Sequence, residues 1–183
     1  MEAREYQKRL ISDLPRIFPH EKVEIEWDSV KYDPHISNHK DVYAPRIDIA
    51  VGPFNDYFEL DVGTDKTKRM QYHPFTKKLI QNKLERGLTL RRLWNSYSRC
   101  FAAIEIEFSG TSKHILGSMI NASVTGSVGI IITNKTKYEV TNRIFNYFLR
   151  LESLERMKLN TLGNIFIFEE EEFLTFLSVF SSQ

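Results

Sequence analysis

Two periods of apolar positions run along this chain, and they divide it into elements. Tyr6, Leu10 and Leu14 recur at helical spacing, predicting a short amphipathic helix from residue 2 to about 14 that Pro15 and Pro19 stop. Lys22 to Trp27 alternates with period two, as does Arg46 to Val51, the signature of half-buried strands. Between them Asp33 to Asp41, polar and holding Pro34, His35 and His39, reads as a loop. Gly52-Pro53-Phe54-Asn55 is turn chemistry leading into Tyr57 to Val62. These two runs are therefore expected to form a hairpin whose polar face carries Arg46, Asp48, Glu59 and Asp61. Pro74 to about Glu85 and Leu88 to about Ser98 read as helices. Their apolar positions are sparse, as in elements laid on a domain rather than built into its core.

From residue 101 the elements alternate. Phe101 to Phe108 reads as a strand, Ser112 to about Val124 as a helix, and Val128 to Thr133 as a fully apolar strand at a sheet centre. A long helix follows with Val140, Ile144, Tyr147, Phe148, Leu151 and Leu154 on one side. Asn164 to Phe168 makes another strand and Glu170 to Phe180 a closing helix. Strand, helix, strand in this order implies a right-handed crossover and a parallel pair. There is no internal repeat, and the expected class is α/β.

With 183 residues, 42% of them hydrophobic and 13% aromatic, the chain has the composition of one packed domain spanning residues 1–183. The single Cys100 excludes an internal disulfide, and one Cys with five scattered His excludes a Cys-rich zinc site. Both point to a reducing, cytoplasmic compartment. No run of 18 apolar residues occurs and the first five residues are no signal peptide, so a soluble protein without a membrane partner is expected.

Net charge is +1, but it conceals a division. Residues 62–100 hold ten Lys and Arg against Asp65 and Glu85, a charge of +8 that leaves −7 for the rest. With Tyr72, Phe75, Trp94 and Tyr97 interleaved, that segment has what a phosphate backbone requires: cations that release counterions and aromatics that can stack. DNA is the partner this implies, with Lys77, Lys78, Arg91, Arg92 and Trp94 as contacts. The same cations could instead be solvated or pair with the acidic remainder.

Glu105 and Glu107 are the anomaly in the strand after this segment. Period two puts both carboxylates on one face while Ile104, Ile106 and Phe108 take the other. Neighbouring carboxylates repel, so a cation or a proton must accompany them. Asp48, on its own strand, offers a third oxygen of the kind hard divalent cations require, and Mg²⁺ so held can polarise a phosphodiester. Lys113, in the first turn of the following helix, shares a face with Gly117 and Asn121 and could reach a phosphate or the attacking water. His114 is a weaker candidate, and Glu2, Glu5, Glu24 and Glu26 are further acids nearby in sequence. No Gly-rich phosphate loop, Gly-x-Ser-x-Gly or His-Glu-x-x-His motif occurs.

Helix, strand, strand with Pro45-x-x-Asp48, strand with Glu105-x-Glu107, helix, strand resembles the core of the PD-(D/E)xK nuclease superfamily over roughly residues 2–62 and 101–168. The resemblance implies a restriction-endonuclease-like αβββαβ core with a mixed sheet, interrupted by the basic helical insertion at 62–100. It implies Asp48 and Glu105 as ligands of Mg²⁺, or Mn²⁺, and Glu107 at the position of the family's lysine, as ligand or base. Some restriction enzymes of this fold carry Glu-x-Glu there, and Lys113 could replace the missing cation. Glu5 is the candidate for a first-helix glutamate that joins the metal in some members. A competing register makes Glu59 and Asp61 the third-strand acids. The activity implied is Mg²⁺-dependent DNA cleavage, with a homodimer by analogy. The alternatives are a non-catalytic nucleic-acid-binding or assembly subunit that lost the lysine, and a protein-interaction domain meeting an acidic partner.

Overall fold

All eight residues of one strand, Gly126–Thr133, are buried, which places it inside a sheet covered on both faces. The structure, a computed structural model, describes residues 2–30, 45–55, 65–86, 93–153 and 162–180. In chain order these form α1 (Ala3–Ile17), β1 (Val23–Asp28), β2 (Arg46–Phe54), a 3-10 helix (Lys66–Tyr72), α2 (Pro74–Glu85), β3 (Cys100–Glu107), α3 (Ser112–Thr125), β4 (Gly126–Thr133), α4 (Lys135–Ser153), β5 (Ile165–Glu169) and α5 (Glu170–Ser178). The fold is α/β. Its five-stranded mixed sheet has the order β1-β2-β3-β4-β5, antiparallel from β1 to β3 and parallel from β3 to β5. Among the described residues no helix is long and apolar enough to cross a membrane.

Helices cover both faces. Tyr6, Leu10 and Leu14 of α1, Phe75 and Leu79 of α2 and Phe173 and Phe176 of α5 pack with Ile49, Ile104, Ile130 and Phe168 of the sheet. On the other face Ile115, Met119 and Ala122 of α3 and Phe145 of α4 meet Ala50, Ala103, Ile131 and Ile167. Strand alternation in β3 therefore sends Ile104 toward α1 and Ala103 toward α3.

The structure departs from the sequence pattern in several places, each for a physical reason. α1 continues through Pro15 to Ile17, and the chain after it buries Phe18. A proline inside a helix costs about 3 kcal/mol. Burying Leu14, Ile17 and Phe18 returns about 1.5–3 kcal/mol each, so burial wins. Gly52-Pro53, expected in a turn, lies inside β2, where the β2–β3 register shifts between Val51 and Phe54 and the proline owes no ladder bond. α2 belongs to the core: its inward positions 75, 79 and 83 fall at i, i+4, i+8, so three residues suffice. Residues 93–98 form no helix. In α4 the buried line runs through Thr141 and Phe145, leaving Tyr147 60% exposed. The predicted loop 33–41, the strand Tyr57 to Val62 with Glu59 and Asp61, residues 88–92 with Arg91 and Arg92, and Leu154 lie outside the described residues.

Candidate active site

Asp48 and Glu105 come together because of strand register. Ile49 pairs with Ile104 across antiparallel β2 and β3, so the next position on each strand sets Asp48 opposite Glu105. On the other side of β2, Ile25 pairs with Ile49 and Trp27 with Ile47, which puts Glu26 opposite Asp48. Three acids thus stand in one row across β1, β2 and β3. Glu26 has φ of 47°, a left-handed conformation that costs a non-glycine residue about 1 kcal/mol or more. Sequence reading passed over Glu26 as one acid among several; the signal was its place in the alternating run Lys22 to Trp27.

Each acid is held differently. Asp48 Oδ2 accepts a hydrogen bond from the Ile106 N–H at 2.8 Å, which fixes its carboxylate at the end of the ladder. Its carbonyl accepts from Gln7 Nε2 at 2.9 Å, tying α1 to β2 at this point. Glu105 is 5% exposed. Glu107 is half-buried and accepts from the Ser118 hydroxyl of α3. Gly110 permits that placement, because a Cβ there would overlap the Glu107 carboxylate and press on His114.

The electrostatics match this crowding. Burial first, then the neighbouring Asp48, Glu107 and Glu26 carboxylates, push Glu105 up to about 9, against a hydrogen bond from the Asp48 backbone. Burial also raises Asp48, with the Ile106 N–H and a hydrogen bond with Glu105 pulling the other way. Among the described residues no Lys or Arg forms an ion pair with Glu26, Asp48, Glu105 or Glu107. Nor do three or more His, Cys, Asp or Glu side chains converge there as a ready-made metal cluster. Two adjacent carboxylates with oxygen-only chemistry are nonetheless what Mg²⁺ ordinarily draws from a protein, with water and phosphate completing its shell. The donor set fits such an ion.

Lys113 and Glu5 are both exposed. The buried positions Ile115, Met119 and Ala122 fix the rotation of α3 and turn Ser118 toward β3. Lys113 is exposed and lines a trough with Leu116, Val140 and Arg143, a lining that holds none of the acids. Gly117, on its face, borders open space. Glu5 is exposed on α1, where Arg4, Gln7 and Lys8 instead line the groove that reaches Asp48 and Glu26.

Much of the basic segment serves the fold. Lys83, 3% exposed, donates to the Gly163 and Ile165 carbonyls at 2.5 and 3.1 Å with its ammonium over the Phe166 ring. Arg86 donates to the Ile167 carbonyl at 2.9 Å and to Glu172. Among the described residues β5 pairs only with β4, so these two cations cover the other edge of β5. Arg69 pairs with Glu21 at 2.7 Å, and buried Arg99 donates to the Ser29 carbonyl at 2.9 Å. Trp94 packs on Phe101 with ring centroids 6.0 Å apart and is not a free stacking platform. Lys77 is exposed and Lys78 half-buried, its ammonium donating to Gln81 at 3.4 Å.

No family model matches the chain, and no curated protein and no solved structure matches it.

Proposed function

We propose that this chain is a Mg²⁺-dependent DNA endonuclease of restriction-endonuclease-like fold, acting in the cytoplasm, with Asp48 and Glu105 as the metal ligands. One observation carries the reading: a buried glutamate beside a half-buried aspartate on adjacent strands, with no Lys or Arg ion-paired to either among the described residues. Strongly raised carboxyls beside one another in this way cluster at functional sites. The order α1, β1, β2, β3, α3, β4, with Asp48 on the second strand and Glu105 on the third, agrees with the resemblance drawn from the sequence.

In this reading the Ile106 N–H aims Asp48, and burial holds Glu105 beside it until a cation favours ionisation of both. Glu107, oriented by Ser118, stands where the family's lysine would be and accepts the proton of the attacking water. When bound, Mg²⁺ supplies polarisation of the phosphodiester oxygen. By analogy with restriction enzymes of this fold, a homodimer would bring one such site to each strand of a duplex.

A second reading, a DNA-binding subunit with a degenerate nuclease fold, is favoured by one feature: Lys113 lines the α3–α4 trough and not the acid row. Plasmid nicking with and without Mg²⁺ separates the two. Wild type should nick only with the metal, and Glu105→Ala should abolish nicking while retaining DNA binding; undiminished nicking by that variant sinks the assignment.

A further inference from the structure

The groove between α1 and the β1–β2 edge encloses about 640 Å³ and has charges of both signs on its walls. Arg4 and Lys8, one turn apart on α1, and Arg46, the first residue of β2, line it together with Glu26 and Asp48. All three cations are exposed, and among the described residues none is ion-paired. Three cations and two carboxylates thus share a groove without pairing to one another.

From this we infer that the groove is the track for the nucleic-acid backbone, with Arg4, Lys8 and Arg46 holding the phosphates next to the one that meets Asp48. The inference rests on the nuclease reading and names the surface that presents substrate to Asp48. A metal–phosphate ligand satisfies both charge sets at once: the carboxylates take the cation and the cations take the phosphate oxygens. Gln7, anchored to the Asp48 carbonyl, fixes the distance between the α1 cations and the acid row. The volume is that of a one- or two-nucleotide stretch of strand rather than of a small inorganic anion. By contrast, several cations of the 62–100 segment are tied to carbonyls and carboxylates of the protein itself. Clustering by sequence and clustering in space therefore nominate different residues.

The test is fluorescence anisotropy of a labelled DNA duplex in Ca²⁺, which stands in for Mg²⁺ without supporting turnover. The variant Arg4→Ala/Lys8→Ala/Arg46→Ala should lose about tenfold or more in affinity at low salt. The slope of log K against log salt should become shallower by about two to three, one per lost phosphate contact. Its thermal midpoint should stay at the wild-type value, since these side chains are exposed. A milder variant, Lys8→Glu, should weaken binding in the same direction. Triple-variant affinity within twofold of wild type, with an unchanged slope, overturns the inference. Calorimetry with Mn²⁺ on the same variant keeps the two ideas apart: metal uptake retained while DNA affinity falls supports the track, and absence of metal uptake in wild type removes the nuclease reading while leaving the affinity result to decide the track.

Discussion

The acid row on β1–β3 and the cations of α2 both stand out in the sequence as charge in unexpected places, yet the fold treats them oppositely. Lys83 and Arg86 are satisfied by carbonyls of the β5 edge and by Glu172, so their charge is absorbed by the architecture. Buried Glu105 and half-buried Asp48 lie beside each other without an ion-pairing cation among the described residues, and both are driven toward protonation. Buried charge that is partnered closes a structure, whereas a buried carboxyl held protonated beside a second carboxyl marks a candidate functional site. Charge density along a sequence does not distinguish these cases.

The contrast can be broken by experiment, with the pH dependence of Glu105 giving the largest effect. In the unfolded chain this carboxyl ionises near 4.5, whereas in the fold it keeps its proton to about 9. Between those values folding takes up a proton. The contribution of Glu105 to the stability of the metal-free protein is therefore fully present below 4.5 and is lost as pH rises toward 9. Asp48, also raised, adds in the same direction. Urea midpoints at the two ends of that window should show the decline, and Glu105→Gln should flatten it; an unchanged slope in the variant rules out Glu105 as its source. Next in size is Lys83→Met, which keeps the apolar stem and strips the donor from the Gly163 and Ile165 carbonyls. Each orphaned carbonyl costs about 1–3 kcal/mol in urea unfolding, while DNA affinity should not change. A loss of affinity without a loss of stability would return Lys83 to the functional side. The smallest effect belongs to Gly110→Ala: its methyl displaces the Glu107 carboxylate, lowering nicking rate several-fold with little shift in thermal midpoint.

Much of the fold was legible from periodicity. The run Val128 to Thr133, apolar on both faces, marked the inner strand, and Ser112 and Pro74 marked helix starts that the structure keeps. Asp48, Glu105 and Glu107 could be named because strand alternation fixes which face a side chain takes. What period does not fix is how two elements meet. Helical spacing grouped Lys113 with Gly117 and Asn121, but Ile115, Met119 and Ala122 decide how α3 rotates, and that rotation turns Ser118 to the acids. Those three apolar residues carried the signal. Glu26 depends on pairing between separate strands and on a positive φ that alternation hides. Arg4, Gln7 and Lys8 depend on where α1 docks. That Trp94 and Lys83 are built into the fold is not legible in the sequence, because the aromatic ring and the edge carbonyls that receive them lie in other segments of the chain.

The central claim is that Asp48 and Glu105 are left without a cation because they take one from solution. Calorimetric titration of Mn²⁺ into wild type and Glu105→Gln at neutral pH tests this most directly. A saturable site in wild type that releases protons as Glu105 ionises, and that vanishes in the variant, is the predicted result. Identical isotherms for the two proteins, or none in wild type, would contradict it.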